Sequence, residues 1–434
     1  MIEPRILKGF RDFLPEQQSI RKNIIRRLEE TFVSCGYMPI DTPVLEYADV
    51  LLGKSGGDTE KQVYRFSDHG GRDVAMRFDL TVPFARFMAQ HSNELYLPFR
   101  RYHIDKVFRG ENTQKGRYRE FVQCDFDIVG TDSVSSDVEI LLLMYRSFKA
   151  IGVEDITINI AHRGVTSSVL SALGLDDPMP VLRAIDKLFK IGREGVIKEL
   201  EGIADKSICE KILDTLTMED SPEKTLARLS DVCGKDNPHI MRLLRIWNIL
   251  SELGLSHVYT INPSITRGLD YYTGVVFETF LNKLPGIGSV CSGGRYDNLV
   301  GLYSKENITG IGASIGLDRL IAGLTELGIT EDMQGDNPDV LILCMSEELL
   351  PLYHRLAETL RDNKIKAEVY PDNKRFKQQF SYAEKKNIPF AIIIGEDEQK
   401  SGKIELKDLT TREQYSLSSE EELISLVIRN KNKK

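Results

Sequence analysis

The sequence predicts an α+β domain on a central antiparallel sheet, broken by a helical insertion and followed by a small α/β domain. Three observations carry that reading. Phe99 to Phe108 and Arg119 to Ile128 read as long strands joined by the polar loop Gly110-Glu-Asn-Thr-Gln-Lys-Gly116, a meander rather than the strand–helix alternation of a parallel sheet. From about 165 to 250, Leu, Ile, Lys and Glu recur at helical spacing and strand signals vanish. Beyond residue 338 the pattern becomes strand–helix–strand.

Taken in order, Ile20, Ile24, Leu28 and Phe32 recur every four residues behind Pro15, predicting a helix over 15–35 that Gly36 stops. Tyr37 to Leu45 reads as extended, and Pro39 and Pro43 push it to a sheet edge. Tyr64–Phe66 and Val74–Phe78 flank Asp68-His-Gly-Gly-Arg72, a hairpin-like turn, and Thr81 is the expected cap of the next helix. A helix over 137–150 and a strand over 156–161 precede the insertion. Strand character returns at Gly274-Val-Val-Phe-Glu278 and again at Gly310 to Leu320, a strand feeding a helix. This gives a first domain over 1–330, a polar linker over 331–338 and a second domain over 339–434.

Composition excludes several classes. With 434 residues, 41% apolar and 28% charged, the chain reads as an ordinary globular protein, and its net charge of −8 carries no global nucleic-acid signature. Its six cysteines are scattered without a Cys-x-x-Cys pair, against a thiolate zinc site or a disulfide framework. No apolar run nears the roughly 20 residues that span a bilayer, and no signal-peptide block opens the chain, so no membrane role and a cytoplasmic location are expected.

Several constellations could carry chemistry. Gly53-Lys-Ser-Gly-Gly57 is rejected as a phosphate loop, because Ala48 stands where the Walker pattern needs glycine. Alternation places Arg109 and Glu111 on one face, where an arginine could clamp a phosphate and Phe121 could stack on a base; a charge ladder on a solvated face is the alternative. Asp79 and Thr81 sit where a strand becomes a helix, and Gln123, Asp125 and Asp127 alternate on one strand. Acids within a basic cleft suit a zwitterion, and a hydrogen-bonded turn is the bland alternative. Arg319 opens a helix after a glycine-rich strand, placed for a distal phosphate or simply for capping. Arg267 to Glu278 packs a cation, two phenols, a carboxylate and two glycines into twelve residues, more like a ligand pocket than a packing face, with a buried Tyr pair and a structural ion pair as the bland alternative.

Together these segments resemble the histidyl-tRNA synthetases, a family of class II aminoacyl-tRNA synthetases. The resemblance runs from Lys8-Gly-Phe-Arg-Asp-Phe-Leu-Pro15 nearly to the end of the chain. Gly36 to Pro43 resembles motif 1, the dimer motif. Phe108 to Phe121 resembles motif 2, and Gly310 to Leu320 resembles motif 3. Arg267-Gly-Leu-Asp-Tyr-Tyr-Thr-Gly274 and Ser292-Gly-Gly-Arg-Tyr-Asp297 resemble the two histidine-specific signatures. Arg77-Phe-Asp-Leu-Thr81 carries aspartate where many bacterial members carry glutamate.

The resemblance implies a class II synthetase fold with a C-terminal anticodon-binding domain, and a homodimer that joins L-histidine to tRNA(His) with ATP and Mg2+. It implies catalytic roles for Arg109 and Arg267. Asp79, Leu80, Thr81, Arg109, Gln123, Asp127, Arg267, Tyr271 and Tyr272 would bind histidine. Arg109, Glu111, Phe121, Gly312 and Arg319 would bind ATP, with glycines 293, 294 and 312 letting backbone approach the ligands. No side chain is assigned to a resident metal. Gln114 and Lys115 would lie near the tRNA acceptor end, and Lys374, Arg375 and Lys377 would meet the tRNA backbone in a second domain whose charge is balanced, 17 Lys and Arg against 17 Asp and Glu. The rival is a synthetase-like regulatory subunit that binds histidine without charging tRNA. Such subunits lack the anticodon-binding domain and have degraded signatures, whereas this chain retains both.

Overall fold

The computed structural model describes residues 1–53, 60–175, 177–185, 187–265, 272–305, 308–333 and 337–431. The chain forms two compact units, Met1–Met333 and Gln334–Lys434.

The first unit opens with the helix Pro15–Ser34, which buries Ile24, Leu28 and Phe32 as its four-residue spacing predicts. The extended stretch after Gly36 shortens to β1 (Met38–Pro39), pairing parallel with a neighbour at the sheet edge, as a proline-bearing strand must. β2 (Leu45–Tyr47), β3 (Arg65–Ser67) and β4 (Asp73–Met76) form a separate antiparallel sheet in the order β2-β4-β3, so the expected hairpin stands. The rejected phosphate loop lies outside the described residues, apart from Gly53. The helix Thr81–His91 follows.

Next come β5 (Phe99–Phe108) and β6 (Glu120–Val129), then the helix Val134–Ala150 and β7 (Ile156–His162). Among the described residues, helices from Arg163–Ala172 to Pro238–Glu252 fill the region read as an insertion. β8 (Tyr259–Ile261), β9 (Val275–Leu281), β10 (Cys291–Tyr296) and β11 (Gly310–Gly316) complete the sheet, and β11 runs into the helix Leu317–Glu326.

These strands make one eight-stranded sheet in the order β1-β5-β6-β11-β10-β9-β7-β8. It is antiparallel through its centre, with parallel pairs only at β1–β5 and β7–β8. The meander reading holds for β5–β6 but not beyond: β6 takes β11, the last strand of the unit, as its other neighbour. Strict alternation then splits the sheet chemically. Even-numbered Tyr102, Cys124 and Phe126 pack on the first helix, with Phe32 ring centroids 5.5 Å from Tyr102 and 5.1 Å from Phe126. The odd-numbered face carries Arg101, His103, Gln123, Asp125 and Asp127, all buried and polar.

The second unit holds β12 (Val340–Ile342), β13 (Ala367–Val369), β14 (Phe390–Ile393), β15 (Ile404–Asp408) and β16 (Gln414–Leu417), ordered β13-β12-β14-β15-β16. Its centre is parallel and its far edge antiparallel, with helices Leu350–Asp362, Phe376–Lys385 and Glu420–Lys431. Leu356, Leu360, Phe390, Leu406 and Leu423 give it a core of its own. All six cysteines are free thiols, and among the described residues no helix is long and apolar enough to cross a membrane.

Candidate active site

A cavity of about 370 Å3 opens on the odd-numbered face of the sheet. Its lining joins Thr81, Arg109, Glu111, Phe121, Gln123, Tyr272 and Arg319, seven residues singled out from sequence and drawn from five separate segments. Tyr118, Glu278, Ser289, Ser292, Ser314 and Asp318 complete much of it. Most of these fall within the motifs quoted above but had no individual role in the sequence; the pairing of β6 with β11 and of β10 with β9 brings Ser314, Ser292 and Glu278 to the cavity.

Arg109 follows β5, and its backbone N–H donates to Arg119 O (2.9 Å), closing the strand pair at its open end. Its Nε donates to Phe78 O (2.9 Å) and its guanidinium carbon lies 5.1 Å from the Phe121 ring centroid. One N–H is thereby spent on holding the fork, and cation–π contact steadies its plane. Glu111 lies 3.5 Å from Arg117 Nη1. Arg319 sits in the first turn of Leu317–Glu326, and its Nη1 donates to Ser289 O (2.8 Å).

Beneath the cavity the acids are deeply buried. Asp79 Oδ1 accepts from Val82 N (3.1 Å), so Asp79, not Thr81, caps that helix; Thr81 is its first residue and turns toward the cavity. Leu80 beside them is fully buried. Asp127 accepts from the Tyr296 hydroxyl (2.7 Å), and its other oxygen lies 2.7 Å from Arg101 Nη2. Burial raises its carboxyl, while Arg101 and Tyr296 oppose that rise. Both Asp127 oxygens face protein, and Asp127 is not part of the cavity lining. Arg101, which sequence reasoning passed over, is fully buried against the Phe84 ring, 4.2 Å from its centroid.

Two of the glycines also have a reason within the sheet itself. A Cβ on Gly312 would stand 2.0 Å from Asp127 Oδ1, and one on Gly293 would stand 2.2 Å from Gly312 O. Close approach of strand to strand by itself demands glycine at both positions.

The N-terminal segment braces this floor. Asp318, 3% exposed, accepts from Arg21 Nη1 (2.7 Å), from Val122 N (2.8 Å) and from Arg11. Arg119 N donates to Gly9 O (2.9 Å). In the loop after β5, Lys115 Nζ meets Glu326 (2.6 Å), and Gln114 closes a turn with Arg117.

Arg267 and Tyr271 lie outside the described residues. Among the described residues Asp41, His103 and Asp105 bring three ligand atoms within 4.8 Å. Burial, then Arg101 and Arg77, hold the His103 imidazole down at about 4, ahead of the opposing Asp41 and Asp105, so the local field disfavours a cation there. In the second unit Lys374, Arg375 and Lys377 are exposed around the start of Phe376–Lys385. Gln379 Nε2 donates to Lys374 O (2.7 Å) and Cys344 O (2.9 Å), fixing that basic loop just beyond the carboxyl end of β12.

A solved structure of histidyl-tRNA synthetase from Nostoc sp. PCC 7120 superposes with a TM-score of 0.89 at 32% identity, covering 99% of this chain and 100% of that one. The fold is that of a class II aminoacyl-tRNA synthetase. The histidyl-tRNA synthetase family model matches residues 9–320, and an anticodon-binding domain model matches 339–430. The histidine–tRNA ligase of Treponema denticola is 50% identical over 428 residues, 95% of either chain, and that of Wolinella succinogenes is 47% identical over 421 residues, 94% of either chain. The chain belongs to the histidyl-tRNA synthetase family.

Proposed function

We propose that this chain is a histidine–tRNA ligase: it joins L-histidine to ATP as histidyl-adenylate, releasing pyrophosphate, then passes histidine to the 3′ end of tRNA(His). One observation carries this most directly. The cavity sets two arginines, Arg109 and Arg319, with Phe121 and Glu111, beside Thr81, Gln123 and Tyr272. The first group suits a nucleotide triphosphate and the second an amino acid.

A carboxylate is already a nucleophile at neutral pH, so no base is needed for the first step. The attack on the α-phosphorus needs alignment and neutralisation of developing charge. Arg109 supplies both from a fork held by Phe78 and Phe121. By the family resemblance Arg267 is the second cation for that phosphorus, and Arg319 meets the far phosphate. Phe121 stacks on the adenine and Glu111 bonds its edge. Asp79 and Asp127 give the amino-acid end its negative field, with Leu80 as apolar wall, while Tyr271 and Tyr272 hold the imidazole. Mg2+ would find a hard oxygen donor in Glu278, a carboxylate of the cavity lining, and when bound would supply charge stabilisation for the departing pyrophosphate.

The active particle is a homodimer. Met38 and Tyr96, 60% and 93% exposed, flank a shallow apolar cavity of about 460 Å3 with Pro39, Ile40, Pro98 and Phe99. A second copy seated on this motif 1 face accounts for so much exposed apolar surface. The tRNA meets Gln114 and Lys115 at its acceptor end and Lys374, Arg375 and Lys377 along its backbone. The cytoplasm is where this reaction is needed.

Histidine-dependent ATP–pyrophosphate exchange followed by charging of tRNA tests the reading. Exchange and charging with histidine are expected. Histidine binding with neither activity would instead give the regulatory-subunit reading.

A further inference from the structure

Asp125 has no part in the mechanism above, yet it is 1% exposed at the centre of the polar face. Register sets it between His103 on β5 and Ser314 on β11. Gln123, two residues earlier on the same face, donates from Nε2 to Ser314 Oγ (2.7 Å) and lies 3.4 Å from Asp125 Oδ1. Both contacts of the amide nitrogen are thus to oxygens, one on its own strand and one on β11. Gln123 Oε1 is buried and has no hydrogen-bond partner among the described residues.

The chain of donors therefore has one direction. An ionised carboxylate only accepts, so Asp125 Oδ1 draws the amide nitrogen, which also reaches a Ser314 lone pair. The amide nitrogen is held inward, and its oxygen is the atom left to the ligand. A buried acceptor without a donor is costly, and an ammonium group would satisfy it. Were the direction reversed, Ser314 would donate to the amide oxygen and Gln123 would present N–H groups to a cation.

We propose that Asp125, together with Ser314, fixes the sense of the Gln123 amide and so makes Gln123 an acceptor for the α-ammonium of the amino-acid substrate. Asp125 is a positioning residue and touches no reacting atom. This rests on the reading of the cavity as an amino-acid site and adds to it how the ammonium is selected. Burial pushes the Asp125 carboxyl up to about 7, with Asp127 and Asp79 adding to the rise and Arg101 and Ser314 opposing it. An arriving ammonium favours the ionised form, so ligand and amide sense reinforce one another.

The test is pyrophosphate exchange at pH 8 in the full-length protein. Asp125→Asn, whose amide can donate as well as accept, is expected to raise the histidine KM about tenfold with the ATP KM unchanged within about twofold. Ser314→Ala is expected to move the histidine KM in the same direction by about threefold, and it carries the test if Asp125→Asn does not fold. In a Gln123→Glu background the side chain has two equivalent oxygens and no sense to fix. Adding Asp125→Asn there is expected to change the histidine KM by less than about twofold. Equal rises in both Michaelis constants, or an undiminished cost of Asp125→Asn in the Gln123→Glu background, would overturn the proposal. Wild type run alongside separates the two readings: no exchange with histidine would sink the amino-acid site itself, whereas normal wild-type exchange with unsplit variants would remove only the role of Asp125.

Discussion

Tyr272 and His162 show how single side chains set behaviour. Tyr272 lines the cavity beside Gln123 and Thr81. A pocket that bonds both imidazole nitrogens must lose affinity when one phenol oxygen goes. Tyr272→Phe is therefore expected to raise the histidine KM about tenfold while leaving the ATP KM nearly unchanged. Equal effects on both would count against it. His162 works on stability. Its Nδ1 caps the helix Arg163–Ala172 by accepting from Gly164 N (3.0 Å). Burial, then His239, Arg242 and Arg295, hold its imidazole down at about 3, against an ordinary 6.5. Between those values the unfolded chain binds the extra proton, so stability is complete above about 6.5 and is lost as pH falls. His162→Asn keeps the cap without titrating. Its melting temperature should fall less steeply than wild type from pH 7 to pH 5; identical slopes would refute this. At this scale the sequence disclosed residue types better than roles. Asp79 and Thr81 were both picked out, but which of them caps the helix depends on a backbone angle the sequence does not state. At Gly312 the sequence does not disclose that Asp127 on the neighbouring strand leaves no room for a Cβ.

Strand periodicity made the elements legible. Alternation over β6 put Gln123, Asp125 and Asp127 on one face, and that face borders the cavity through Gln123, with Arg109 and Glu111 just beyond the end of β5. Pro39 marked an edge strand and Leu, Ile spacing marked the helical insertion. What alternation cannot give is which strand lies next. β11 packs on β6 across nearly two hundred residues, and this brings Ser314 and Gly312 opposite Asp125 and Asp127. The same long-range folding sets Asp318 under Arg11 and Arg21, a cluster with no local signature. Asp318→Asn would leave the buried Arg21 guanidinium without its charge partner, at a cost of roughly 3–5 kcal/mol. Chemical denaturation should show that loss, with exchange activity falling as the β6 end loses its Val122 anchor. Wild-type stability would contradict the brace.

At the scale of the molecule, a net charge of −8 concealed a tRNA enzyme, because the relevant charge is local. The second unit has its own core and a basic loop pinned by Gln379, so its contribution should be separable. Replacing Lys374, Arg375 and Lys377 by alanine is expected to raise the tRNA KM about tenfold or more and flatten its salt dependence, with pyrophosphate exchange unchanged. A loss of exchange as well would mean that the triple variant damages the catalytic unit. The central claim is that the cavity on the polar face activates histidine and no other amino acid. It is tested most directly by ATP–pyrophosphate exchange measured separately with each of the standard amino acids. The account predicts exchange with histidine alone, abolished by Arg109→Ala; exchange that is absent with histidine, or equally fast with another amino acid, would contradict it.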